Sequence, residues 1–228
     1  MDGNGRWARR KGLPRLEGHR RGYKALKNFV MDAAELNVKV VTAYAFSSEN
    51  WKRPVAEVNG LMQLIRFAAK AELEYMKKEG VKIITSGRFN ELPQALQDQF
   101  NEDCEATKHN TKITLNIAVN YGGRNEIIDA AKQAARLVAE GMLAPEDIDE
   151  KFFSGLMYHP ELPDPELFIR TAGEMRVSNF LMWETAYSEL FVTDTLWPDF
   201  CMDDLKAALD SFQNRTRKFG KVVDEDSK

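Results

Sequence analysis

Apolar residues at Leu26, Phe29, Val30, Ala33 and Leu36 fall at intervals of three and four, which predicts an amphipathic helix from about Gly18 to Leu36. The run VKVVTAYAFS (38–47) is β-branched, aromatic and almost continuously apolar. That pattern predicts a strand covered on both faces, as in a parallel sheet. The alternation continues. Val58, Leu61, Met62, Ile65, Ala69, Leu73 and Met76 mark a long helix, GVKIITSG a short strand, 92–108 a helix and KITLNIAVN a strand. Gly122 and Gly123 open a helix to about Glu140, and another is predicted from Pro145 to Leu156. ELFIRT and ELFVTD read as the last strands, and 203–217 as a closing helix. Strand and helix in regular order predict a single α/β domain over residues 1–228, with a mostly parallel central sheet layered by helices.

Ligands of such sheets bind beyond the carboxyl ends of the strands. Function is therefore expected in five polar segments that follow predicted strands: SSENWKRP, GRFNELP, NYGGRNE, RTAGEMRVSN and TDTLWPDF. A sheet of this kind normally begins with a strand that feeds its first functional loop, whereas this sequence opens inside the loop MDGNGRWA. The first strand is thus expected to be missing, and residues 221–228 are expected to form a disordered tail.

Composition narrows the chemistry. At 228 residues, 43% hydrophobic and 29% charged, the chain suits one soluble core. Cys104 and Cys201 lie far apart with no metal-ligand spacing, which fits a reducing, cytoplasmic setting. No apolar run reaches the roughly 18 to 20 residues that span a bilayer. The net charge of −3 conceals a lopsided distribution. Arg6, Arg9, Arg10, Lys11, Arg15, Arg20 and Arg21 stand against Glu17 alone, giving +6 over 6–21 and −9 elsewhere. A focused positive patch on an acidic protein points to a small, highly charged anion rather than to nucleic acid.

In DGNGR the glycines let backbone N–H groups approach a ligand, and the arginines offer bidentate donors to phosphate. A tight turn bearing a solvated acid is the plainer alternative for the same residues. His19, amid Arg15, Arg20 and Arg21, reads either as a surface residue or as a phosphate donor held neutral by its neighbours. In FSSENWKRP, Ser, Asn and Arg suit a polar head, and Trp51 supplies either an apolar wall or ordinary packing. Arg170 ends an apolar strand, a costly place for a charge without a partner, and Glu174 is one candidate for that partner. Glu189 is either a salt-bridge acid or, with Asp2, one of two carboxylates that share Mg²⁺ with phosphate oxygens. NYGGR reads as a plain strand-to-helix turn. No P-loop, dinucleotide fingerprint, nucleophile elbow or zinc-protease motif is present.

Taken in order, MDGNGRWA, PRLEGHRRG, YAFSSENWKRP, LNIAVNYGGR, DPELFIRTAGEMRVSNFLMWETAYSEL and LWPDF closely resemble the cis-prenyltransferase family, from residue 1 to about 220. The resemblance implies extension of an allylic diphosphate, usually farnesyl diphosphate, by isopentenyl diphosphate, with new double bonds in cis. The product would be a long polyprenyl diphosphate such as undecaprenyl diphosphate, the carrier of cell-wall precursors. It implies Mg²⁺, a homodimer, and peripheral contact with the inner face of the membrane for product release. Asp2 matches the family's essential aspartate, and Gly3, Asn4, Gly5, Arg6, Trp7, Arg15 and His19 its diphosphate cradle. Ser47, Ser48, Glu49, Trp51 and Arg53 match substrate contacts, and Asn50 the residue held to accept a proton. Arg170, Arg176, Val177 and Ser178 match the isopentenyl diphosphate site, and Glu189 the second metal-associated acid. Ala172 stands where a small Gly or Ser is usual, a mild change. The apolar residues of 61–76 and 81–85 are candidate walls for a channel that holds the growing chain.

Overall fold

The computed structural model describes residues 1–215 of the 228. Seven α-helices and five strands alternate along them: α1 (Asn4–Arg10), α2 (Arg15–Glu35), β1 (Val40–Ser47), α3 (Val55–Lys78), β2 (Val81–Ser86), α4 (Gln94–Thr107), β3 (Ile113–Tyr121), α5 (Gly123–Ala139), α6 (Glu150–Ser154), β4 (Leu167–Arg170), β5 (Glu189–Val192) and α7 (Met202–Gln213). The helix expected over Pro145–Leu156 is instead a 3₁₀ turn at Pro145–Asp147 followed by the short α6. Asp149 separates the two, because its extended backbone and its side-chain bond from the Phe152 N–H start a new helix there. The expected tail at 221–228 lies outside the described residues, and the closing helix, expected over 203–217, ends at Gln213 with Asn214 as its cap.

All strand pairs are parallel, but the sheet comes in two pieces rather than one. In the first piece β3 lies between β1 and β2, and in the second β4 pairs with β5 in the register Leu167↔Glu189 to Arg170↔Val192. The central position of β3 explains its run of apolar residues, since both of its faces are covered. One face of the larger piece, with Val41, Ala43, Ile83 and Leu115, packs against α2 and joins Trp197 and Phe200 in the core. Nearer the carboxyl ends, Phe46 and Val119 pack against Val58, Leu61 and Met62 of α3 and Leu96 and Phe100 of α4. Between the facing edges of β1 and β4 lies a cavity of about 1080 Å³ that continues over the sheet face beneath α2, α3 and α4. Met1 and Asp2 border it at the carboxyl end of the strands, beside Arg170.

Candidate active site

Asp2 is fixed through its backbone. Its N–H donates to the Thr171 hydroxyl at 2.8 Å, and its carbonyl accepts from that hydroxyl at 3.0 Å and from the Trp197 N–H at 2.9 Å. Thr171 is 1% exposed, so this clamp is dry and rigid. Gly3 follows at φ 101°, and a Cβ there would meet Leu196 Cδ2 at 2.8 Å, so only glycine fits the turn that aims Asp2 into the cavity. The carboxylate stands 2.5 Å from Arg170 Nε, close enough for an ion pair although not aligned as a hydrogen bond. Asp2, and not Glu174, is therefore the partner of the arginine at the end of β4.

Two groups of arginines flank that carboxylate. On one side Asn4, Gly5, Arg15, His19 and Arg53 line the cavity. Glu57 lies 3.2 Å from Arg15 and 3.1 Å from Arg53 and so holds both guanidinium groups from behind. Burial, together with Arg53 and Arg15, pushes the His19 imidazole down to about 4, with Glu57 opposing. The ring is neutral at physiological pH, and its buried Nε2 has no hydrogen-bond partner among the described residues, nor does Asn4 Oδ1. An unpartnered ring nitrogen on a residue that lines the cavity is what an absent polar ligand would satisfy, whereas Asn4 Oδ1 is turned into the contact with Gly22 of α2.

On the other side Arg170 donates to the Arg176 carbonyl at 2.7 Å and to the Ser178 hydroxyl at 3.1 Å, which shapes the loop after β4. Glu174 pairs with Arg176 at 2.5 Å and Arg6 at 2.7 Å, and thereby ties this loop to α1. The loop is strained, with Ala172, Ser178, Asn179 and Leu181 all at positive φ. Such clusters persist where surrounding contacts over-determine the backbone. Ala172, at φ 68°, is a less innocent departure than its small size suggests, because the left-handed region favours glycine.

Ser47 closes β1 and, with Asn50, lines the cavity between the two arginine groups. Asn50 turns its Oδ1 back to accept from the Ser47 N–H at 3.3 Å.

The match to known proteins is extensive. The model of a prenyltransferase family, described as "Putative undecaprenyl diphosphate synthase", matches residues 1–220. The chain belongs to this family. An isoprenyl transferase from Heliobacterium mobile is 46% identical over 222 residues, covering 97% of this chain and 85% of that one. A ditrans,polycis-undecaprenyl-diphosphate synthase from Legionella pneumophila, described as specific for (2E,6E)-farnesyl diphosphate, is 43% identical, covering 97% and 93%. The crystal structure of lavandulyl diphosphate synthase from Lavandula x intermedia, in complex with dimethylallyl diphosphate, superposes with a TM-score of 0.92 at 33% identity, covering 97% and 95%. The cis-prenyltransferase fold expected from the sequence is the one found.

Of the residues that carry the family's pattern, the cavity gathers Asp2, Gly3, Asn4, Gly5, Arg15, His19, Ser47, Asn50, Arg53, Arg170, Arg176 and Ser178. Others stand behind it. Trp7 donates to Asp199 at 2.7 Å, Glu49 accepts from Asn179 at 2.7 Å, and Trp51 donates to Asn120 at 2.7 Å while its ring meets Phe46 edge-on. Trp51 thus packs rather than walls the cavity. Gly122 begins α5 as a strand-to-helix turn and lies against Ser48. Val177 is half-buried in the strained loop. Glu189 is not beside Asp2. It pairs with Leu167 at the amino end of β5, three residues from the level of Arg170, or roughly 10 Å along the strand. There it meets Arg215 at 2.6 Å. Sequence reasoning passed over Thr171, Trp197 and Glu57. Thr171 and Glu57 are polar groups beside segments already singled out, which is the signal that would have found them.

Proposed function

We propose that this protein is a cis-prenyltransferase that adds isopentenyl diphosphate units to farnesyl diphosphate, giving a long polyprenyl diphosphate of the undecaprenyl type. The observation that carries this reading is the pair of arginine groups on either side of Asp2, at the mouth of a cavity whose walls become apolar along Leu61, Ile65, Ala69 and Met76. Two diphosphates side by side satisfy the cations, and a hydrocarbon chain suits the walls. The names of the relatives support the same substrates.

The chemistry follows from charge. Cleavage of the allylic C–O bond leaves positive charge on carbon and added negative charge on the departing diphosphate, which Arg15, Arg53 and the neutral donors near Asn4 and Gly5 stabilise. Arg176 and Ser178 hold the second diphosphate so that its double bond faces the allylic carbon and forms the new C–C bond. The proton then leaves the isopentenyl unit. An amide is far too weak a base for Asn50 to take it, so Asn50 orients the substrate and a diphosphate oxygen accepts the proton. Mg²⁺ fits at Asp2. No cluster of three or more acidic, His or Cys ligands exists among the described residues, and Mg²⁺ commonly uses one carboxylate with substrate oxygens. When bound, the ion would neutralise diphosphate charge. The position of Glu189 makes it a poor second ligand within one chain.

The plainer reading, a diphosphate-lipid binding subunit without turnover, lacks a supporting observation, since Asp2, Asn50, Arg170 and Arg176 line one cavity. A homodimer is supported by family resemblance and by apolar Tyr187 and Leu190 exposed on the β5 side. Cytoplasmic residence with peripheral membrane contact fits the product, and no described helix is long and apolar enough to cross a membrane. The test is incorporation of radiolabelled isopentenyl diphosphate into butanol-extractable polyprenyl products, with farnesyl diphosphate and Mg²⁺ present. Incorporation abolished by EDTA is expected, and binding of both diphosphates without any incorporation would reject the enzyme.

A further inference from the structure

The strained loop after β4 is fastened to the first turn of α5 at two points, and the second of them joins two acids. Asn179 makes the first: its carbonyl accepts from the Gly123 N–H at 2.7 Å and its Oδ1 from the Arg124 N–H at 2.8 Å. Met182 follows so closely that a Cβ on Gly123 would stand 2.6 Å from its Cγ. One turn along the helix, Glu126 lies within hydrogen-bonding reach of Glu184.

The donors present decide which acid carries the proton. Glu126 is 3% exposed, and each of its oxygens already accepts, Oε1 from the Tyr158 N–H at 2.9 Å and Oε2 from the Tyr121 hydroxyl. An acid with both oxygens so engaged acts as an acceptor. Glu184 is half-buried, but its Oε2 is covered by protein and no hydrogen bond from a described residue reaches it. A charge on that oxygen would have no donor to stabilise it, and two carboxylates in contact cannot both ionise freely. The proton therefore belongs to Glu184. Burial first, then the Glu126 charge and more weakly Asp164, push the Glu184 carboxyl up to about 7, with its own backbone N–H opposing. The surroundings offer little relief. Tyr121 of β3 and Tyr158 face Glu126, Tyr44 of β1 faces Tyr121, and Arg88, the cation acting on Tyr158, is engaged by Asp129.

We propose that Glu184 is a positioning residue for the second diphosphate: the proton it donates to Glu126 pins the segment that presents Ser178 to the cavity. The proposal rests on the prenyltransferase reading above. Ser178 precedes Asn179, lines the cavity and accepts from Arg170 at 3.1 Å. Ser178, Asn179 and Leu181 hold left-handed backbone, which persists only where contacts around it fix it. When the proton leaves, the two carboxylates repel and one of the two fastenings opens. Ser178 then loses its fixed place. By reciprocity, a diphosphate that needs Ser178 in place tightens the hold of Glu184 on its proton.

The test compares the wild type with Glu184→Gln, whose amide donates to Glu126 at every pH. From about pH 6 to about pH 8.5, the wild-type KM for isopentenyl diphosphate should rise about 5-fold or more relative to that of E184Q, while KM for farnesyl diphosphate keeps a constant ratio. Taking the ratio cancels the titration of the diphosphates themselves. Parallel profiles, or an equal relative rise in KM for farnesyl diphosphate, would overturn the proposal. A second arm needs neither turnover nor the variant, and so decides the matter if E184Q does not fold. Isopentenyl diphosphate is bound to the wild type at about pH 7.5 in calorimetry buffers of different ionisation heat, where the proposal requires net proton uptake. No uptake, or release, overturns it. Uptake by a wild type that never elongates overturns only the enzymatic reading.

Discussion

Asp2 is held by two separable sets of contacts, its backbone by Thr171 and Trp197 and its carboxylate by Arg170. Asp2→Asn keeps the shape and removes the charge that opposes Arg170 and would hold a metal. It is expected to lower kcat by about 10²- to 10³-fold, a loss in line with removing one electrostatic group from an active site. Thr171→Val keeps the volume and removes only the hydroxyl that grips the Asp2 backbone. Misplacement of a reacting group by about 1 Å costs on the order of 10²-fold, so kcat should fall by 10 to 100-fold while KM for farnesyl diphosphate moves little. A change confined to KM would show that Thr171 serves binding instead.

His19 supplies a pH signature at the same scale. Its imidazole is held at about 4 against an ordinary 6.5, so between these values the unfolded chain binds the proton that the folded chain refuses. Stability contributed by the neutral ring is complete above pH 6.5 and declines as pH falls toward 4. His19→Gln should flatten that part of the thermal-midpoint profile. Parallel profiles for variant and wild type between pH 6.5 and 4 would count against the neutral ring.

At the scale of elements, α1 lies so close to α2 that two glycines are needed at the contact. A Cβ on Gly18 would stand 2.0 Å from the Asn4 carbonyl oxygen, and one on Gly22 2.2 Å from Asn4 Oδ1. Gly18→Ala gains up to about 1 kcal/mol of helix propensity but must push backbone aside, an overpacking cost of about 1–3 kcal/mol. The clash wins, so denaturant unfolding should show net destabilisation, and the shift of Asn4 and Gly5 should weaken diphosphate binding. Gly60→Ala in α3 is the matched control. Its Cβ would meet only Leu16 at 3.7 Å, so stabilisation by about 0.5–1 kcal/mol is expected.

Periodicity made these elements legible in the sequence, since α2, α3, β1 and β3 bury one face or both along their whole length. What remained illegible depended on register or on contacts distant in sequence. The Arg170 partner lies at the other end of the chain, and the composition of RTAGEM favours Glu174 just as well. Glu189 follows an apolar edge, but only its pairing with Leu167 reveals that it faces the amino end of the sheet. The apolar spacing of Pro145–Leu156 continues through Asp149, whose capping bond ends one turn and starts another.

Over the whole molecule, the arginine groups and the apolar walls belong to one continuous cavity, so a ligand with a charged head and a hydrocarbon tail should stabilise more than either part alone. A ligand present at 100 times its Kd raises stability by about 2.7 kcal/mol, and in a domain of this size each kcal/mol moves the thermal midpoint by about 2–4 °C. Farnesyl thiodiphosphate, which resists turnover, should therefore raise the midpoint by about 5–10 °C at that excess. Inorganic pyrophosphate at the same concentration engages only Arg15, Arg53 and their neighbours, and should give a smaller rise. The two should also part in salt. Screening acts on the exposed ends of the ion pairs and hardly on buried hydrocarbon, so moving from roughly 0.1 M to 1 M NaCl, a contraction of the Debye length from about 10 Å to 3 Å, should erase the pyrophosphate shift and spare part of the farnesyl one. Equal shifts for both ligands, equally lost in salt, would mean that the tail stays outside the cavity and that Leu61, Ile65, Ala69 and Met76 are only core.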